Sequence, residues 1–373
     1  MSHSRFKRKL IQLLEGTGIQ LDGPEPWDIQ IHDPRLYGRV LAHGSLGLGE
    51  SYMDGWWDAE DLDGFIYRLL GADLDERVHT WDDILHALHA RLSNLQNPSR
   101  AFEVGQRHYD MGNALYKCML DQRMVYSCGY WKHATDLDVA QEAKLELIFR
   151  KLGLKPGMRV LDIGCGWGGA LKLAAERYGI EGVGVTISEQ QAAYAREICA
   201  DLPIEIRLQD YRLLHLKFDR IISVGMFEHV GVKNYRTYMQ IVQRCLQPDG
   251  LFLLHCIGNN YSVSTTDPWI DRYIFPNGML PSVRQVGEAI EHLFVMEDWH
   301  NFSANYDRTL MAWRHNFESH WDELKQEYSS MFYRMWRYYL SVSAATFRAR
   351  KAQLWQVVLS PRGVKGGYES VRM

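Results

Sequence analysis

VLDIGCGWGGALKLAAERYG, running from Val160 to Gly179, decides the fold. It reads as a short buried strand (Val160 to Ile163), a glycine turn (Gly164, Gly166, Gly168, Gly169) and a helix whose opening residues Ala170, Leu171 and Leu173 lie on an apolar stripe. Glycines suit such a turn for two reasons: a ligand must approach the backbone closely, and the tight path needs φ values that side chains forbid. The helix start then presents unpaired N–H groups and a positive dipole end to an anionic part of that ligand.

The glycines alone leave the ligand open, because Gly164, Gly166 and Gly169 also fit the dinucleotide pattern G-x-G-x-x-G. A dinucleotide site expects an acidic residue at the end of the next strand. Here that strand is EGVGVTIS, which ends in Thr186, Ile187 and Ser188. Asp162 stands two positions before the first glycine. It makes D-x-G-x-G-x-G, a pattern similar to that of S-adenosylmethionine-dependent methyltransferases.

Outward from the turn, strands and helices alternate. GVGVTIS and EQQAAYAREICA form a second unit, and IEIRLQDYRLL supplies a third strand ending at Gln209 and Asp210. FDRIISVGMFEHVG is a fourth strand running into Glu228 and His229, and LFLLHCIG is a fifth carrying His255. FVMEDWHNF and LWQVVLS are expected as the sixth and seventh. The alternation predicts an α/β fold, a doubly wound parallel sheet whose ligands bind beyond the strands' carboxyl ends. Asp162, Gln209, Asp210, Glu228 and His255 all belong at or near that rim.

Residues 1–97 read as a smaller α+β appendage and residues 98–373 as the main domain, with Asn97 and Pro98 as the linker candidate. The first helix, Ser4 to Glu15, sets Arg5, Lys7, Arg8 and Lys9 beside Phe6, Leu10, Ile11, Leu13 and Leu14. Such a helix fits an anionic membrane surface, and equally an ordinary surface helix with a solvated basic face. IHDPRLYGRVLAHGSLGLGESYMDGWWD, rich in glycine and aromatics, reads as short strands and turns. FIYRLL and WDDILHALHARLSNL read as helical.

Within the main domain, NNYSVSTTDPWIDRYIFPNGMLPS is a long connection with apolar content, suited to a lid or binding surface. Ser282 and Gln285 then form a capping-box start for the next helix. The helices from about Tyr306 to Arg350 are aromatic and basic, with Trp313, Trp321, Phe332 and Trp336 among their residues.

The 373 residues, 46% hydrophobic and 24% charged, can bury a large core. A net charge of −4 provides no global basic field to collect nucleic acid. The six cysteines are scattered without a C-x-x-C pair, so neither a zinc site nor a disulfide framework is indicated, and a reducing cytoplasm is the expected compartment. The apolar run after the basic start is too short for a signal peptide, and no later run has the length to span a bilayer. Membrane contact is therefore expected to be peripheral.

Taken together, QRHYDMGN, YSCGYW, LDIGCGWGG, VTISEQQ, SVGMFEHVG, LLHCIG, PWIDRYIFPNGMLPSVRQ, EDWHNFSANYD and QLWQVV resemble the cyclopropane-fatty-acyl-phospholipid synthases, relatives of the mycolic acid cyclopropane synthases. These motifs cover roughly residues 100 to 360 in the same order, and the N-terminal extension resembles the phospholipid-modifying branch. The resemblance implies a class I methyltransferase sheet and methylene transfer from S-adenosylmethionine to a cis double bond of a phospholipid acyl chain. An alkene is a weak nucleophile, so the methyl must be held in line with it and water kept out. A base must then take a proton from the transferred carbon before the ring can close.

In the family that base is a bound bicarbonate. Carried over motif by motif, its cradle would be Cys128, Glu228, His255, the backbone of Ile257, and Tyr306. The resemblance assigns the S-adenosylmethionine site to Tyr126, Ser127, Asp162, Gly164, Gly166, Gly168, Thr186, Ser188, Gln191, Gln209 and Asp210. It also implies a homodimer working at the inner face of the membrane. No metal and no nucleic acid are expected. Ser343 stands where some relatives carry cysteine, which speaks against a nucleophilic thiol there. A same-fold enzyme methylating a small amine, or making a methyl-branched lipid, would share the cofactor site and is the alternative.

Overall fold

The computed structural model describes residues 2–72 and 112–373. The helix expected over WDDILHALHARLSNL, the linker candidate Asn97–Pro98 and most of QRHYDMGN lie outside the described residues. The chain divides into two compact units, the first made of Met1–Ser93, Ser264–Pro276 and Leu310–Ala352, the second of the remainder.

In the first unit, helix Ser2–Leu14 buries Leu10 and Leu14. Strands β1 (Gln30–Ile31) and β2 (Trp57–Asp58) pair antiparallel, and between them Arg35–Met53 is helical. That helix corrects the expectation of short strands and turns. Of its glycines only Gly44 leaves helical geometry, at φ 54° and ψ −128°. Gly47 and Gly49 serve close approach instead: an added Cβ would meet the Arg39 carbonyl oxygen at 2.4 Å and the Trp269 ring at 2.4 Å.

Two stretches expected in the main domain, Ser264–Pro276 and Leu310–Ala352, group with the N-terminal segment in the first unit. The rings of Trp269 and Tyr338 lie 4.7 Å apart, and Tyr338 lies 5.4 Å from Tyr52. Asp63, in the first turn of helix Leu62–Gly71, accepts from Arg314 at 2.7 Å and Arg348 at 2.8 Å. Aromatic contact and a shared carboxylate explain why helix Ser330–Arg348 clusters with residues so distant in sequence.

The second unit contains β3 (Arg159–Ile163), β4 (Glu181–Thr186), β5 (Ile204–Leu208), β6 (Phe218–Val224), β7 (Leu246–Asn259), β8 (Val295–Asn301) and β9 (Ala352–Ser360). They form one sheet in the order β5-β4-β3-β6-β7-β9-β8. β5, β4, β3, β6 and β7 run parallel, while β8 and β9 pair antiparallel. Along β3 successive residues point to opposite faces, and both faces are covered: Leu161 and Ile163 join one apolar cluster, Val160 the other. Burial on both sides is why these strands read as continuous apolar runs. Strand order reverses between β3 and β6, and the rim above that point is where a ligand crevice forms. Among the described residues, no helix is long and apolar enough to cross a membrane.

Candidate active site

A cavity opens at the carboxyl ends of β3, β4 and β6. Its wall includes Tyr126, Ser127, Asp162, Gly164, Gly166, Thr186, Ser188, Gln191, Gln209 and Asp210, ten of the eleven residues expected to hold the cofactor. Gly164 turns at φ +85°, and a Cβ there would press on Met226 at 3.0 Å, so the turn needs glycine on both counts. Gly168 is not part of the wall. It is the N-cap of helix Gly169–Tyr178 at φ +86°, and a Cβ would meet Ala195 at 3.0 Å, so its reason is packing behind the turn.

The polar residues around the cavity are fixed by their neighbours. Ser188 caps helix Glu189–Ile198 by accepting from the Gln191 amide, and the Thr186 hydroxyl donates to Gln191 Oε1 at 2.9 Å. Asp210 accepts from the Arg212 amide at 2.9 Å and its guanidinium at 2.8 Å. Asp162 is buried, its Oδ1 has no hydrogen-bond partner among the described residues, and burial pushes its carboxyl up to about 7. His229, also in the wall, is held neutral by burial, its pKa lowered to about 4.

The loop before the sheet carries Tyr126 to Trp131 and is pinned from two sides. Gln141 donates to the carbonyls of Val125 and Ser127, and Lys144 donates to the Ser127 hydroxyl at 2.7 Å. On the other side the Thr309 hydroxyl accepts from the Gly129 amide and from the Trp131 indole at 2.8 Å. Cys128 is fully buried between them, 3.9 Å from Thr309, and desolvation pushes its thiol well above the ordinary range. It is a neutral thiol rather than a nucleophile.

The five residues expected to hold the base do not line the cavity. They sit on neighbouring elements instead: Glu228 after β6, His255 and Ile257 on β7, Cys128 in the loop before the sheet and Tyr306 on helix Ala304–Ser319. Glu228, in the short turn Phe227–His229 after β6, accepts the Ile257 amide at 2.7 Å from β7. That amide belongs to the Ile257 backbone expected at the base site, and in this structure it bonds to Glu228. Burial raises the Glu228 carboxyl to about 7, and its Oε2 is without a partner among the described residues. His255 stacks edge-on to Phe302, and its Nδ1 lies 3.3 Å from Gln356 Nε2 on β9. Its Nε2 is likewise unpartnered among the described residues, and burial holds the ring neutral, far below its usual pKa. Tyr306 is buried at the start of helix Ala304–Ser319, one turn before the Thr309 that touches Cys128.

Lys144, Trp167, Met226 and Arg212 line the cavity without having been singled out in the sequence. Lys144 did leave a signal. In helix Leu137–Leu152 the buried residues Leu137, Ala140, Lys144, Leu147, Ile148 and Lys151 share one face, so two lysines seven apart sit on an apolar stripe.

Residues 96–357 match the family described as mycolic acid cyclopropane synthetase. The chain is 55% identical over 362 residues to the cyclopropane-fatty-acyl-phospholipid synthase of Escherichia coli (strain K12), covering 97% of this chain and 94% of that enzyme. It is 32% identical to a probable fatty acid methyltransferase of Pseudomonas putida, covering 93% and 90%. Among solved structures, a mycolic acid cyclopropane synthase complexed with SAH and CTAB superposes with a TM-score of 0.65 at 30% identity, covering 69% of this chain and 97% of that one. Coclaurine N-methyltransferase, at 21% identity and a TM-score of 0.70, shares the fold.

Proposed function

The chain belongs to the mycolic acid cyclopropane synthetase family, and from that membership we propose that it transfers a methylene from S-adenosylmethionine to the cis double bond of unsaturated phospholipid acyl chains. The observation that carries this reading is the match to the phospholipid enzyme over 97% of the chain, which takes in the N-terminal segment. The mycolic acid synthase structure, itself matched almost whole, covers 69% of it.

S-adenosylmethionine supplies the methyl group when bound. The residues at the cavity fit it: a glycine turn whose backbone lines the cavity at Gly164 and Gly166, a buried carboxyl with unused capacity at Asp162, and hydroxyl and amide groups at Thr186, Ser188 and Gln191 for the ribose. Tyr126 and Ser127 close one side, where they would keep water from the reacting centre.

The base is proposed to be bicarbonate, held beside the cavity by Glu228, His255 and Tyr306 with Cys128 packed against it. The unfilled Glu228 Oε2 and His255 Nε2 are buried polar atoms of the kind that natural structures leave for a ligand. With Gln356 Nε2 donating to Nδ1, the His255 proton sits on Nε2 and can be donated to an oxyanion. Glu228 takes or gives a proton near neutral pH, as a group poised at about 7 does.

Residues 1–97 are proposed to help organise lipid contact or dimerisation. Exposed Phe6 and Ile11 beside Arg5, Lys7, Arg8 and Lys9 fit peripheral contact with an anionic bilayer, and vesicle flotation with no binding would remove that part. The reaction is tested with unsaturated phospholipid vesicles and S-adenosylmethionine: product lipid should gain one CH₂ and lose its double bond by mass spectrometry. Transfer of an intact methyl, or to an amine, would favour the alternative methyltransferase reading.

A further inference from the structure

Lys144 is a buried cation with carboxylates near it but none in contact among the described residues. Its side chain is fully enclosed, yet its ammonium makes a single hydrogen bond, to Ser127 Oγ at 2.7 Å, and no ion pair among the described residues. An ammonium has three donors, and burying it with only one filled is strongly unfavourable unless something else supplies the counter-charge.

The groups around it supply counter-charge only from a distance. Asp121 is near enough to act electrostatically, but its carboxylate already accepts from the Val125 and Arg123 amides. Cys128 is a neutral thiol, and His255 from β7 is a neutral ring that the lysine's charge itself disfavours protonating. Asp162 on β3 also acts on the lysine electrostatically, but it keeps an unfilled oxygen and makes no contact ion pair with the lysine among the described residues. Burial lowers the Lys144 pKa to about 8, as expected of a cation awaiting an anion.

Lys144, Ser127, Asp162 and Gly164 all line the cofactor cavity, whereas Thr186, Gln191 and Asp210 line it from other strands. The donor S-adenosylmethionine carries one anionic group, the α-carboxylate of its amino-acid end, beside an α-ammonium. We propose that Lys144, together with the Ser127 hydroxyl, binds that α-carboxylate. Because Ser127 Oγ accepts from Lys144, its own O–H proton is left to donate to the same carboxylate, while Asp162 answers the ammonium. The cavity therefore selects a zwitterionic amino-acid end, not merely an adenosine. This inference rests on the S-adenosylmethionine reading but not on the lipid reaction.

Calorimetric titration without lipid tests it, using S-adenosylhomocysteine, its decarboxylated analogue and 5′-methylthioadenosine. Lys144→Met should weaken S-adenosylhomocysteine about 30-fold, the loss expected for a charge-assisted hydrogen bond, and leave methylthioadenosine within about twofold. Ser127→Ala should show the same pattern with a smaller loss. If Lys144→Met does not fold, the wild-type chain still decides: it should bind the decarboxylated analogue at least about tenfold more weakly than S-adenosylhomocysteine. Equal losses for all ligands, or no preference for the carboxylate, would overturn the proposal while leaving the enzyme reading intact. Normal ligand selectivity with no lipid product would overturn the enzyme reading alone.

Discussion

The cofactor cavity and the Glu228–His255 cluster stand at one rim of one sheet, yet they are built in opposite ways. The cavity is shaped by backbone: a turn at Gly164 and Gly166, a loop held at Ser127, and a helix started by Ser188. The cluster is shaped by side chains packed to exclusion of solvent, with unfilled polar atoms on Glu228 and His255. Backbone sites tolerate exchange of side-chain chemistry but not of conformation. Side-chain sites do the reverse.

Glu228→Gln should break the contrast most sharply. It should lower cyclopropanation about a thousandfold, as loss of a proton-handling group does, while S-adenosylhomocysteine affinity stays unchanged. The same carboxyl makes a stability prediction. Its folded pKa is raised to about 7, so the folded ligand-free chain holds a proton that the unfolded chain has already lost, and stability falls as pH rises between about 4.5 and about 7. Comparing melting temperatures of the variant and the parent at pH 5 and pH 8 isolates this group: the variant should gain relative to the parent at pH 8.

A glycine pair probes the other side of the contrast. Gly164→Ala should weaken S-adenosylhomocysteine roughly tenfold or more, because a left-handed φ costs about 1–2 kcal/mol for an L residue and the Cβ presses on Met226. Gly168→Ala should lower the melting temperature but leave affinity nearly unchanged, because its Cβ meets Ala195 rather than the cavity. Equal affinity losses for the two would erase the distinction drawn between them.

Smaller effects should follow at the cluster's edge. Gln356→Leu should reduce turnover about tenfold without altering S-adenosylhomocysteine affinity, since it removes one hydrogen bond that orients His255. Ser343→Cys should stay within about twofold in turnover, because Ser343 belongs to the first unit and to neither site. Steady-state assay with dispersed lipid reads both.

The parallel sheet was legible because buried strands and a glycine turn leave a periodic trace; Val160 to Gly179 specifies strand, turn and helix almost residue by residue. The helix Arg35–Met53 was not, because glycine reads as a breaker whether it turns the chain, as Gly44 does, or admits a neighbour, as Gly49 admits Trp269. The glycine turn and Asp162 were visible for the same backbone reason as the sheet, whereas Tyr126, Ser127, Thr186, Ser188 and Gln191 were given their place only by the resemblance. The strand pattern put Glu228 and His255 near the rim, but their role, and Tyr306 altogether, came forward only with the resemblance to a family. Lys144 was overlooked although a lysine on an apolar helix face is itself a physical oddity.

β9 has a consequence for the order of assembly. It lies between β7 and β8 in the sheet but follows both in sequence, and it carries the Gln356 that holds His255. During synthesis the β7 edge and β8 are made before the strand that must be inserted between them, so the exposed edge waits with its pairing groups unfilled. The last-made strand thus closes the sheet and sets His255 in one event. A nascent chain stalled before Ala352 would carry an open, adhesive edge and an incompletely oriented histidine, which makes late translation the interval in which this fold most needs protection from aggregation.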